Sequence, residues 1–245
     1  MRTRFHLGLD ELKDKLLTMG AMAEQAVDRA VQGYHQRQAK LLSAVLDEEH
    51  AINEAQREID ELALDLLAMQ QPMAVDLRFI LAVMKINSDL ERVGDCAVNI
   101  AFRGQESISL PQVDLQVDIP LMASIVAGMV RRALESFIDA KAELADAILL
   151  MDDVVDRMDA EIYISLVNQI HASPEITRQA LDALLITRNL ERVADHATNI
   201  AEDVIFWVRG ADVRHLGGKR KTGVDIVAAT KRKTNRDESG APDPA

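Results

Sequence analysis

Apolar residues recur along this chain at three- and four-residue steps, the spacing of one face of an α-helix. Leu9, Leu12, Leu16, Met19, Ala23, Val27 and Ala30 predict a first helix over about 7–33, with charges on its other side. Leu42, Val45, Leu46, Ile52, Ile59, Leu62, Leu66 and Met69 predict a second over about 39–70. Gln71-Pro72 ends it, because proline disfavours the helical conformation of the residue before it. A third helix is expected over about 74–103. After it, GQESISLPQVDLQVDIP has two prolines and no helical period, which marks a linker at about 107–119.

Beyond the linker the pattern returns. Met122, Val130, Ala133, Phe137, Ala142, Leu144, Ile148 and Leu149 stand 103 positions after Met19, Val27, Ala30, Tyr34, Ala39, Leu41, Val45 and Leu46. In the third helix the offset falls to 100. There Leu90, Glu91, Arg92, Val93, Asp95, Ala97, Asn99, Ile100 and Ala101 recur as Leu190, Glu191, Arg192, Val193, Asp195, Ala197, Asn199, Ile200 and Ala201. A constant offset inside elements that changes at a loop is the mark of duplicated structure, because loops tolerate length changes. A connection three residues shorter, around Pro174, accounts for the change. The expected architecture is all-α: two tandem three-helix bundles of long antiparallel helices, over about 1–106 and 120–216. Gly210 is placed to cap the last helix.

Composition narrows the picture. Of the 245 residues, 48% are hydrophobic but only 3% aromatic, and glycine and proline number 11 and 6, which suits closely packed helices and not a β fold. A net charge of −12 weighs against nucleic-acid binding, which needs clustered Lys and Arg. The lone Cys96 cannot form an intramolecular disulfide and fits a reducing compartment. The first residues, MRTRFHLGLDELKDK, contain no apolar signal segment, and no long uncharged apolar run follows. A cytoplasmic protein without direct membrane insertion is expected. Residues 217–245 turn basic, with Lys219, Arg220, Lys221, Lys231, Arg232, Lys233 and Arg236, and read as a disordered tail or an arm for acidic lipid or a partner.

Candidate chemistry lies in the repeat. Glu91, Asp95 and Asn99 are spaced one helical turn apart, as are Glu191, Asp195 and Asn199. On the second helices Glu49 and Asn53 correspond to Asp152 and Asp156. Each half therefore carries acidic pairs on two neighbouring helices: Glu49, Asn53, Glu91, Asp95 and Asn99, then Asp152, Asp156, Glu191, Asp195 and Asn199. Like charges one turn apart are unfavourable unless a cation sits among them. An all-oxygen set suits divalent or trivalent Mg, Mn or Fe rather than thiolate-type zinc. His196 would add a nitrogen, but its counterpart is Cys96, so it falls outside the repeated set. The bland alternative is a solvated acidic face, neutralised by Arg92 and Arg192 three residues before Asp95 and Asp195. No HExxH, Glu-x-x-His pair, Walker A loop, GxGxxG or GxSxG is present, and no nucleophile–base set can be assembled, so no catalytic or cofactor-binding residue is assigned. Trp207 reads as packing, and the recurrent Arg78 and Arg178 as ties at the bundle ends.

Gln71, Pro72, Asp76, Leu77 and Arg78, the paired LERV[GA]D…NI motifs and the closing ADVRHLGG resemble the PhoU family over about residues 5–218. The resemblance implies two three-helix bundles side by side, with multinuclear metal clusters held at E(D)xxxD(N) motifs that fall on the ten residues above. It also implies a non-enzymatic homodimer that negatively regulates the phosphate-starvation (Pho) response and modulates phosphate transport. In that role the protein links the ATPase of a phosphate ABC transporter to a sensor histidine kinase. Asn53 departs from the pattern, standing where Asp156 keeps an acid, and the basic stretch after Gly218 extends it. The rival expectation is a metal-dependent enzyme, phosphatase- or oxidase-like, using the same carboxylates, but it lacks a general base beyond them.

Overall fold

A computed structural model describes residues 2–69 and 73–210 as six α-helices and one 3-10 turn, with no strand among them. The helices are α1 (Arg2–His35), α2 (Ala39–Met69), α3 (Ala74–Ile108), α4 (Ile119–Asp139), α5 (Ala142–Ala172) and α6 (Thr177–Arg209). Helices α1 to α3 form one bundle and α4 to α6 the other. The two are joined mainly by α3 against α6, and also by α1 against α4. Helices α2 and α5 each touch only their own bundle, so they flank this central layer. Among the described residues no helix is long and apolar enough to cross a membrane.

The duplicated register is visible in the ends of the elements. Helices α2 and α5 begin 103 positions apart, at Ala39 and Ala142, and end 103 apart, at Met69 and Ala172. The residue that closes α1 and its counterpart that closes α4, Arg37 and Ala140, both adopt positive φ, 53° and 52°. The shortened connection is Ser173 followed by the 3-10 turn Pro174–Ile176, which stands at the register of Ala74–Asp76 and replaces the first turn of α3. Gln71-Pro72, ADVRHLGG and the basic tail lie outside the described residues.

The helices extend beyond the predicted limits. Helix α1 starts at Arg2 and α3 runs on to Ile108, which leaves 109–118 as the connection. That connection does what the first turns of α1 do in the first bundle. Gly8 of α1 lies over Leu66 of α2, where an added Cβ would meet Leu66 Cδ2 at 2.5 Å. Gln169 of α5 is the counterpart of Leu66, and its Oε1 accepts from the backbone N–H of Gln116 at 3.1 Å. Ser165 also donates to the Gln116 carbonyl, at 3.2 Å. Helix α4 then begins at Ile119, with the Asp118 carboxylate capping the Leu121 N–H at 3.0 Å.

Helices α3 and α6 run antiparallel. Arg78 donates to the Trp207 carbonyl at 3.4 Å, Lys85 pairs with Asp203 at 3.2 Å, and Asp89 accepts from Asn199 at 3.2 Å. Exchanging counterparts 100 residues apart returns the same helix pair, so the halves face each other about an approximate two-fold axis. Arg78 therefore does tie a bundle end, and Gly210 closes α6 with φ 71° and its N–H on the Phe206 carbonyl. Trp207 packs against Phe79 and Phe137, with ring centroids 5.1 and 5.2 Å away.

Candidate functional site

The apolar stripe of each motif helix faces the core and leaves the polar stripe along its edge. Leu90, Val93, Ala97 and Ile100 of α3, and Leu190, Val193, Ala197 and Ile200 of α6, are fully buried. Burying eight such side chains anchors both helices, each contributing up to about 1.5–3 kcal/mol for the larger ones. Glu91 and Asp95, and Glu191 and Asp195, are left along the shoulder of this core, beside α2 and α5 respectively.

The two stripes ionise differently. Glu91 is half-buried, and burial raises its carboxyl above the usual range; Asp95 and Glu49 add to this, while Arg92 and His196 oppose it. Glu191 is only 7% exposed. Burial, with Asp195, Asp159 and Asp156 adding repulsion and Arg188 opposing it, pushes its carboxyl up to about 7. Glu49, Glu91 and Asp95 thus share one field, and Asp156, Glu191 and Asp195 another. Asn53 and Asp152 are half-buried, one turn from Glu49 and Asp156 on their helices. Asn99 is exposed, whereas Asn199 is drawn into the α3–α6 seam by its bond to Asp89.

Arg92 and Arg192 are exposed, and at Glu191 the counter-charge comes instead from Arg188. Its guanidinium donates to Glu191 Oε1 at 3.1 Å and lies 3.7 Å from Asp159 Oδ2. Glu191 Oε2 is buried without a hydrogen-bond partner. The first half has Ser88 and Gln56 at the positions of Arg188 and Asp159. There Asn87, fully buried, joins α3 to α2 by donating to the Gln56 carbonyl and to Asp60, both at 2.9 Å. Asp159 and Arg188 were legible as neighbours by spacing, three residues after Asp156 and three before Glu191. Requiring both halves to share the residues excludes them.

Between the stripes, His196 Nδ1 lies 2.8 Å from Asp89 Oδ1, in a largely buried pair that joins the two bundles. The counterpart positions in the repeat are Asn189 and Cys96, and Asn189 Oδ1 is buried without a partner. Cys96 is buried, and burial pushes its thiol up to about 11; Arg192 opposes this while Asp95 and Glu191 add to it. A thiol so held is no nucleophile near neutral pH. No local spacing links positions 107 residues apart, so the Asp89–His196 pair could not be read from the sequence.

The donor chemistry fits a hard cation: oxygens only, neighbouring carboxylates that help raise Glu91 and Glu191, and in Glu191 Oε2 a buried oxygen with nothing to bind. The side chains are not gathered into a shell. Among the described residues no three His, Cys, Asp or Glu side chains stand close enough together to hold a metal ion.

The PhoU domain model matches the chain twice, over residues 16–103 and 119–204. The chain is 36% identical to the phosphate-specific transport system accessory protein PhoU homolog of Pseudomonas putida over 220 residues, 89% of this chain and 86% of that one. Among solved structures it resembles PhoU from Pseudomonas aeruginosa, with a TM-score of 0.82 and 35% identity over 84% of this chain and all of that one (100%). It also resembles the phosphate transport system regulatory protein PhoU of Streptococcus pneumoniae, with a TM-score of 0.74 and 26% identity over 85% of this chain and 99% of that one.

Proposed function

The chain belongs to the PhoU family, and on that premise we propose that it is an accessory protein of a phosphate-specific transport system, acting as a regulator and not as a catalyst. In this reading it works in the cytoplasm as a homodimer. It restrains the phosphate-starvation response by relaying the state of a phosphate ABC transporter ATPase to a sensor histidine kinase, and it limits phosphate uptake.

The observation that supports a regulatory scaffold is the position of the two carboxylate stripes. Both lie on α3 and α6, the helices that join the bundles, so a change in charge at either stripe acts on the seam as well as on the surface. A hard ion, Mg, Mn or Fe, would be held at Glu49, Asn53, Glu91, Asp95 and Asn99 and at Asp152, Asp156, Glu191, Asp195 and Asn199. It would screen the repulsion within each set. The protein's own residues position those oxygens: Arg188 holds Glu191 at one oxygen, and Asn199 is held by Asp89.

Affinity capture from phosphate-replete cells tests the reading. The transporter ATPase and the sensor kinase are expected with the full chain, and recovery of neither overturns it. Elemental analysis of protein purified without chelator tests the metal: ion content is expected to fall when Glu91 and Glu191 are both replaced by Gln, and an ion-free wild-type protein would remove this part of the proposal.

A further inference from the structure

The two flanking helices keep one register but show different outer faces. On α2 the exposed residues Asp47, Glu54, Glu58, Glu61 and Asp65 fall on a single stripe, at steps of three, four or seven. Their counterparts 103 residues on, along α5, are Leu150, Arg157, Glu161, Ile164 and Asn168, also exposed. Five negative charges in one bundle thus stand where the other has no net charge. Like charges one turn apart repel, so this face gains from a basic cover.

Beside the stripe a groove of about 580 Å³ runs between α1 and α2. Leu7, Asp10, Glu11 and Asp14 of α1 line it, and Leu7 is 63% exposed. Lys15, the base among its described lining residues, is already paired with Glu58 at 2.6 Å. On the other bundle the acids at the start of α5 are answered from within, since Arg209 pairs with Asp146 at 2.7 Å and with Glu143 at 3.3 Å.

The chain carries a segment of the opposite sign. Residues 219–236, KRKTGVDIVAATKRKTNR, hold seven bases and one acid, with two basic triplets flanking the largely apolar VDIVAA. Residues 211–245 contain eight of the 28 bases and five of the 40 acids, which leaves −15 on residues 1–210. The point of attachment is near the acidic face. Gly210 ends α6 beside Arg78 in the second turn of α3, where an added Cβ would lie 3.7 Å from the guanidinium. Only residues 70–73 separate α2 from α3, so Asp65, one turn before the end of α2, lies at this end too. Lys15 meets Glu58 and Arg29 meets Glu48, so α1 is antiparallel to α2 and the groove lies in the same half. Residues 211–218 can span up to about 26–29 Å, against a helix diameter of about 10–12 Å. We propose that the basic segment 219–236 docks on the acidic α1–α2 face of its own chain. Its triplets meet the α2 stripe and Asp10, Glu11 and Asp14, and Val224, Ile226 and Val227 cover Leu7. Docked there, it supplies the counter-charge that Arg209 supplies to α5.

Carbodiimide cross-linking of the full chain, which joins a lysine to a carboxylate that it touches, tests the docking by mass spectrometry. Links from Lys219, Lys221, Lys231 and Lys233 are expected to concentrate on the acids of α1 and α2. In a mixture of isotope-labelled and unlabelled protein they should stay within one chain. They should fall about tenfold in about 1 M NaCl, where charges are screened beyond about 3 Å. The variant Glu54→Gln, Glu58→Gln, Glu61→Gln and Asp65→Asn, with all four positions exposed, is expected to expose the tail to trypsin about tenfold more. Arg220→Gln, Arg232→Gln and Arg236→Gln together should lower the lysine links about fivefold, and keep the test open if the α2 variant does not fold. Links spread evenly over the acids of α4 and α5, links between chains, or no change in either variant overturn the proposal. So does a tail protected from trypsin only when phosphatidylserine vesicles are added, which would assign the segment to a membrane surface.

Discussion

The first and second bundles keep one register but distribute volume and charge differently. In the first, Leu42 of α2 fits against Gly33 of α1 and Gly104 of α3, where added Cβ atoms would meet it at 2.7 and 2.9 Å. The second has Ala145, Ser136 and Val204 at those positions, so bulk has moved from the flanking helix to the central one. Gly94 against Ile52 becomes Ala194 against Val155 in the same way. A core held at crystal-like density tolerates such exchanges when each gain in volume is offset by a neighbour's loss. Charge is not offset so evenly. The second bundle adds Asp159 and Arg188 and buries Glu191 more deeply than the first buries Glu91, so the more acidic cluster is also the drier one.

The largest expected difference between the halves lies at the seam ends. Phe137→Ala removes a fully buried ring from a three-ring cluster and is expected to cost about 3–5 kcal/mol in urea unfolding. Tyr34→Ala, at the equivalent position 103 residues earlier, removes a half-buried ring and is expected to cost roughly half as much. Equal costs would mean that the polar end is packed as tightly as the aromatic one.

Next comes the ionisation of Glu191. Its carboxyl has an ordinary range near 4.5 when unfolded and about 7 when folded, so the unfolded chain releases this proton first as pH rises. Stability of metal-free protein should therefore fall between pH 4.5 and 7, by at most about 3 kcal/mol, and the penalty is complete above pH 7. Glu191→Gln is expected to flatten this part of the Tm-versus-pH curve in EDTA, and Glu91→Gln to change it less. An unchanged slope in Glu191→Gln would show that the Arg188 pair already compensates the buried charge.

The bridge between the bundles gives a smaller effect. A double-mutant cycle on Asp89→Ala and His196→Ala is expected to yield a coupling of about 1–2 kcal/mol. The same cycle on Asn189 and Cys96 should lie near zero, and comparable couplings would make the seam symmetric in energy as well as in shape. Smallest is the ranking of metal affinity: calorimetry should show a larger loss for Asp195→Ala than for Asp95→Ala, by less than about tenfold, because the second set has the extra acid Asp156. An equal or reversed order would show that Arg188 cancels that advantage.

Much of the fold was legible because helices are local. The spacing of Leu42 to Leu66 is enough for α2, and Gly210 is enough to end α6, since only a residue free to take positive φ closes a helix in that way at little cost. The stripes were legible for the same reason, as one-turn intervals on one face. The connection was harder: 109–118 has no period of its own, and it runs along α5 because the second bundle lacks the α1 turns that cover α2 in the first. Asp159 and Arg188 lay within reach of spacing rules but outside the repeat, so symmetry concealed them.

The sequence by itself determined six amphipathic helices, their pairing into two copies, and the residues of both carboxylate stripes, because each of these follows from intervals of three, four or about one hundred positions along one chain. Tertiary structure alone decided which acid is buried, which base answers it, and that Asp89 meets His196 across the seam. It also decided that one end of that seam is closed by three rings, while Gln179, Tyr34 and Ser107 stand at the equivalent positions of the other end. Burial and long-range pairing depend on which side chains share a small volume of low dielectric, and no interval along the chain encodes that.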